Sequence, residues 1–318
     1  MAYGKEIRMR SIRQRQRLVL TVLGFAFPLF TANAAERFHT GQEVDSAYHP
    51  SVGRPAYDGE QHPAVLLDEA HHESYTSTGR YRPFVELLTR DGYRVKPNRA
   101  PFQKESLDAA NVLVIADPLG AGTPSHPAFT PAECDAVYDW VQKGGALLLI
   151  AGPAPAGQAA AILAKRFGVD MSQGETFDPE HSGDANTPTA WITFSRRNHL
   201  LREHPILTGR EVSEGIETVV TFHGQSLKGP EGSSAFLPLG DAARDQHVEE
   251  GIDLSAAGRA QGIAFELGKG RVVVLADPAM VTAQQMAGGA LKVGMNRPGN
   301  DDRQLALNVL HWLTRLLN

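Results

Sequence analysis

The chain has 318 residues, a formal net charge of −5, 42% hydrophobic and 21% charged residues, and a single cysteine. That balance is the balance of an ordinary globular protein; it carries no basic footprint for nucleic acid, and one cysteine excludes an internal disulfide. The first elements are not part of a globular core. Arg8, Arg10, Arg13, Arg15 and Arg17 form a basic stretch, residues 18–30 (LVLTVLGFAFPLF) an apolar one, and Ala32-Asn33-Ala34 a small-x-small cleavage signal. This is the pattern of a secretory signal peptide over residues 1–34, cleaved after Ala34 and delivering a periplasmic or secreted protein. Met9 serves as well as Met1 for a start, because the residues before it add nothing to the signal. The apolar run is shorter than the roughly 20 residues of a membrane span and contains Pro28, and no later run is long enough either. No stable membrane span is expected after cleavage.

Residues 35–63 are rich in Gly, Pro, His and Tyr without periodicity and read as an extended N-terminal arm. From residue 64 to 318 an α/β domain follows. Residues 64–67 form a first strand, and residues 83–91 (PFVELLTRD) a helix opened by Pro83 and closed by Gly92. Residues 93–96 form a short second strand. Residues 111–116 (NVLVIA) read as a strand buried on both faces. Thr130, Pro131 and Glu133 make a capping box at the start of a helix carrying Cys134, which ends at Gly144-Gly145 before a buried strand, residues 146–150. An Ala-rich helix spans residues 156–167. Residues 169–260 loosen into strand-like pieces and Gly-rich loops, a β-rich excursion from the sheet. Residues 262–267 and 271–276 form a hairpin, and a last helix over residues 301–317 carries a stripe of Leu305, Val309, Trp312 and Leu316. The alternation predicts a doubly wound, mostly parallel sheet with helices on both faces.

In such sheets ligands bind beyond the carboxyl ends of the strands. Three strands end there in acids: Asp68 with Glu69, Asp117, and Asp277. His71 and His72 follow the first strand, Arg80 and Arg82 precede the first helix, and Asn296, Asn300 and Asp301 lie in the last loop. These eleven residues are the candidate ligand-binding set, an inventory of carboxylates, imidazoles, amides and guanidinium groups suited to a polyhydroxylated ligand. Capping and Arg pairing are the structural alternative for each acid taken singly. His71 and His72 are adjacent and point apart, unlike the one-turn spacing of a helical zinc site, so no cofactor is predicted; a divalent metal held by separate loops stays open. Cys134 on an amphipathic helix reads as a packing residue. No dinucleotide fingerprint, phosphate loop or Gly-x-Ser-x-Gly elbow is present.

The strand succession, the Gly-Gly before residues 146–150, the late hairpin and the final helix resemble the class I glutamine amidotransferase-like fold, a flavodoxin-like architecture. The likeness is to its non-amidotransferase branch of ThuA-like proteins, gliding-motility accessory proteins and an intraflagellar-transport domain. Three stretches are similar to an exported bacterial family of unknown function within it: residues 67–71 with 79–84, residues 129–151, and residues 270–277 with 300–304. The resemblance covers residues 60–318 and implies a nucleophilic Cys on the turn after residues 146–150. That turn reads AGPAPAG over residues 151–157 and offers no Cys, Ser or Thr, so the covalent route to glutamine hydrolysis is closed. The expectation is a binding module for a small polar ligand or an envelope protein partner. The alternatives are an acid/base or metal-assisted enzyme acting on a carbohydrate-like substrate, and an accessory protein of an envelope or transporter assembly.

Overall fold

In the computed structural model the described residues are 42–120, 126–182, 190–247 and 250–318, so the expected leader over residues 1–34 and residues 35–41 of the expected arm lie outside them. They belong to one compact unit, Gly41–Asn318. The central nine-stranded sheet is built from Ala64–Asp68 (β1), Arg94–Asn98 (β2), Val112–Ala116 (β3), Ala146–Ile150 (β4), Asp170–Met171 (β5), Leu227–Lys228 (β6), Ser234–Pro238 (β7), Ala260–Leu267 (β8) and Gly270–Leu275 (β9). Its order is β2-β1-β3-β4-β9-β8-β6-β5, with β7 also paired to β8. The five strands from β2 to β9 run parallel, and β8 and the strands beyond it are antiparallel. The chain reverses its direction of travel across the sheet between β1 and β3, the kind of switch point at which crevices open.

β3 and β4 are buried at every position because both faces are covered. Val112, Val114 and Ala116 face one core with Arg82–Arg90 (α1) and Asp302–Leu313 (α5). Leu113 and Ile115 face the other, with Lys104–Asp108 (α2), Pro131–Gln142 (α3) and Ala156–Arg166 (α4). The edge strand β2 carries Pro97, tolerated where no further strand needs its N–H. Gly144 takes φ 124°, and a Cβ on Gly145 would lie 2.3 Å from the Trp140 ring, so the pair lets α3 turn tightly into β4.

Two expectations change. Residues 169–260 do not leave the sheet entirely: β5, β6 and β7 extend it, because the eight residues of β8 offer an edge long enough for both β6 and β7. The remainder forms a three-stranded sheet of Glu175–Phe177, Arg244–His247 and Ile252–Ser255, and a pair of Ile192–Ser195 with Thr218–Thr221. The last helix stops at Leu313; Arg315 takes φ 66°, so Leu316 is exposed and Leu317 is buried instead. The described arm packs onto this frame, with Glu43–Val44 antiparallel to Ala283–Met286. No helix among the described residues is long and apolar enough to cross a membrane.

Candidate functional site

Two groups of ionisable side chains lie side by side at the carboxyl edge. The first is built around His71. β1 delivers Asp68, whose Oδ1 accepts from Asn98 Nδ2 at 2.9 Å and whose Oδ2 meets His71 Nδ1 at 2.6 Å. The other ring nitrogen, Nε2, meets Glu133 Oε1 at 2.9 Å. Glu133 is the reciprocal member of the capping box on α3: its Oε2 accepts from Thr130 N and Oγ1, and its Oε1 from Phe102 N. The His71 backbone N–H donates to Glu73 Oε2 at 3.0 Å. Phe102 and Phe129 flank the imidazole at 4.8 and 4.7 Å between centroids. Burial alone pushes His71 down, but bonds and charge from Asp68 and Glu133 outweigh it and hold the imidazole above its ordinary value. Burial and the neighbouring Asp68 carboxylate push Glu73 up to about 9.

The second group gathers three strand ends. Asp117 follows β3 with φ 56°, its Oδ1 accepting Gly152 N–H at 2.9 Å from the turn after β4. Burial pushes its carboxyl up to about 7, opposed by Gly152 N–H, raised further by Asp277 and opposed again by Arg80. Asp277 follows β9 and accepts from Phe222 N at 2.6 Å and Ala279 N at 2.9 Å; burial raises it too. The Arg80 guanidinium lies 5.5 Å from the Tyr75 ring centre, and Tyr75 feels the charges of Asp117, Arg80 and Asp277. His223, paired with Glu175, lies near Asp277 and opposes that rise. The segment between the groups is shared: Ser74 N–H donates to Asp117 O, and Leu119 and Gly120 N–H donate to His71 O.

The eleven candidate residues therefore divide. Asp68 and His71 join the first group; Arg80, Asp117 and Asp277 join the second. Glu69 turns away, taking Ser77 N and Oγ at 2.7 and 2.5 Å and pairing with Arg99 at 3.3 Å. His72 is exposed with φ 59°, and Arg82 opens α1. The last loop is engaged elsewhere. Asn296 donates to Asp45 Oδ2 and Gln284 O, Asn300 to Gly294 O and Asp302, and Asp301 accepts from Glu217 N and Thr218 N. Glu73, Glu133, Tyr75 and the Glu175–His223 pair were not among the candidates. Glu133 reads from sequence only as a cap, and nothing local places it beside an imidazole 62 residues earlier. Cys134 is buried in the α3 core with its thiol pushed up to about 11 by burial, a packing residue rather than a thiolate.

Comparison with known proteins gives a fold and a family. The N-terminal domain of mmIFT52 superposes with a TM-score of 0.57 at 15% identity, over 79% of this chain and 97% of that one. A cytoplasmic protein from Salmonella typhimurium gives 0.48 at 14% identity, covering 79% and 98%. A ThuA-like protein from Bacteroides uniformis gives 0.43 at 12%, covering 83% and 94%. No curated protein matches the sequence. At 15% identity the likeness to the mmIFT52 domain shows a shared α/β fold and nothing of chemistry. One family profile, described as a domain of unknown function (DUF4350), matches residues 76–288, which takes in Arg80, Asp117, Glu133 and Asp277, and the chain belongs to that family.

Proposed function

We propose that this chain is an exported, non-amidotransferase member of the glutamine amidotransferase-like superfamily that binds a polar, carbohydrate-like ligand at the carboxyl edge of its sheet. The observation that carries the reading is the convergence of Arg80, Tyr75, Asp117 and Asp277 from separate strand ends, next to a turn without a nucleophile. A guanidinium, a carboxyl group and an aromatic ring are what a polyhydroxylated ligand needs for paired hydrogen bonds and stacking. Export rests on the leader pattern of residues 1–34.

Isothermal titration against saccharides and cell-wall fragments tests it. Saturable heat from at least one member is expected, weakened by Arg80→Ala and by Asp117→Asn. Flat traces from a folded protein across the panel would overturn the small-ligand reading. A second reading, acid/base catalysis on a related substrate, is favoured by one fact: a carboxyl near 7 at Asp117 is poised to exchange protons at neutral pH. It requires turnover of whatever ligand binds, with a rate lost in Asp117→Asn while binding persists.

A further inference from the structure

We propose that Asp68, His71 and Glu73 form a binding site for one divalent cation of the zinc or manganese class. Their donor atoms lie within 4.8 Å of one another, and all three residues are buried. From His71 Nδ1, Asp68 Oδ2 is at 2.6 Å and Glu73 Oε1 at 3.9 Å. These spacings bracket the roughly 3.3 Å between donors that a tetrahedral ion with bonds of about 2.0 Å requires. Closing on an ion therefore asks for side-chain shifts alone.

Three further observations point to a ligand there rather than to a closed internal network. As a carboxylate, Glu73 Oε1 is fully buried and receives no hydrogen bond, although it faces the other two donor atoms. A buried carboxylate oxygen left bare is costly, and a cation that displaces the carboxyl proton is what would satisfy it. Next, among the described ion pairs Asp68, Glu73 and Glu133 meet His71 and no Lys or Arg, so three carboxyl groups share one imidazole. Finally, the surroundings have the form of a metal site's supporting layer. His71 gives its remote nitrogen to Glu133, itself fixed by Thr130 and Phe102; Asp68 is held by Asn98; Glu73 is held by the His71 backbone N–H. Carboxylate–histidine–metal relays of this kind orient the ring and raise its basicity. The residues offer two anionic oxygens and one nitrogen, leaving a fourth position for water. Neighbouring His72 is exposed and takes no part.

The test uses the full chain stripped of metal by chelation, titrated calorimetrically with Zn2+ and with Mn2+. One equivalent of at least one ion is expected to bind saturably. Asp68→Asn and Glu73→Gln should weaken it by more than about 100-fold, and Glu133→Gln by about 10- to 100-fold. His72→Ala should leave it unchanged. Glu73→Gln keeps the size of the side chain, so the metal-free variant should unfold near the wild-type temperature. X-ray absorption of the zinc-loaded wild type, which needs no variant to fold, should report one imidazole nitrogen among oxygens. Absence of saturable binding, binding that survives Glu73→Gln or vanishes in His72→Ala, or a shell with several imidazoles would each overturn the site.

Discussion

Asp117 combines two features that a merely structural residue rarely keeps together. It holds φ 56° without being glycine, a conformation that costs about 1–2 kcal/mol, and it carries a carboxyl displaced to about 7. The displacement has a sign that can be measured. The folded form keeps a proton that the unfolded chain releases near 3.8, so the contribution to stability is fully present below about pH 4 and is lost as pH rises through about 7. Asp117 is mostly buried but keeps some contact with solvent, and screening through it reduces the effect to about 1–2 kcal/mol. Asp117→Asn removes the titration and suits the left-handed backbone better. The variant should lose that fraction of the fall in stability between pH 4.5 and 8, read by urea unfolding at both values. Equal slopes for variant and wild type would show that Asp117 does not titrate in this window.

At the scale of elements, much was legible where one segment carries its own signal. Residues 146–150 form β4 with unchanged bounds, since five apolar residues between Gly-Gly and a turn have one sensible fate. The capping box at Thr130 and Glu133 forms in both directions, because its geometry is set within four residues. The two-residue strands β5 and β6 were not legible: they have no periodicity of their own and exist because β8 and each other offer partners. The cap also shows how a local signal hides a distant role. Thr130 Oγ1 donates to Glu133 Oε2 at 2.8 Å, so the residue that starts α3 also aims a carboxylate at His71. Thr130→Ala should cost about 1 kcal/mol, the usual value of a lost N-cap, in chemical denaturation. A change within a few tenths would mean that water replaces the hydroxyl without penalty.

The whole molecule assembles what the sequence keeps apart. Strand-end acids could be named because apolar runs stop at them, yet their division into two groups depends on a sheet order that no spacing encodes. The same holds for the contact between the arm and the last helix. Asp91, at the end of α1, lies under both: its Oδ1 accepts Ala56 N–H at 2.8 Å, its carbonyl accepts Tyr57 N–H, and its Oδ2 meets His311 Nε2 of α5 at 2.8 Å. Both side chains of that pair are fully buried. Tyr57 then packs edge-on against Tyr93 at 5.0 Å and donates its hydroxyl to Thr314 Oγ1 at 2.8 Å. One carboxylate thus fastens arm, first helix and last helix together. Removing it in Asp91→Ala strands His311 without its partner in the core and frees the arm, which should cost about 3–5 kcal/mol. Replacing both partners with apolar groups of similar size should recover part of that loss, since the penalty arises from the stranded imidazole rather than from the missing attraction. Urea denaturation reads the first effect. Limited proteolysis reads the second consequence: cleavage within residues 49–60 should accelerate in Asp91→Ala well before global unfolding. Protection equal to wild type would mean that Tyr57 and the Glu43–Val44 pairing hold the arm without Asp91.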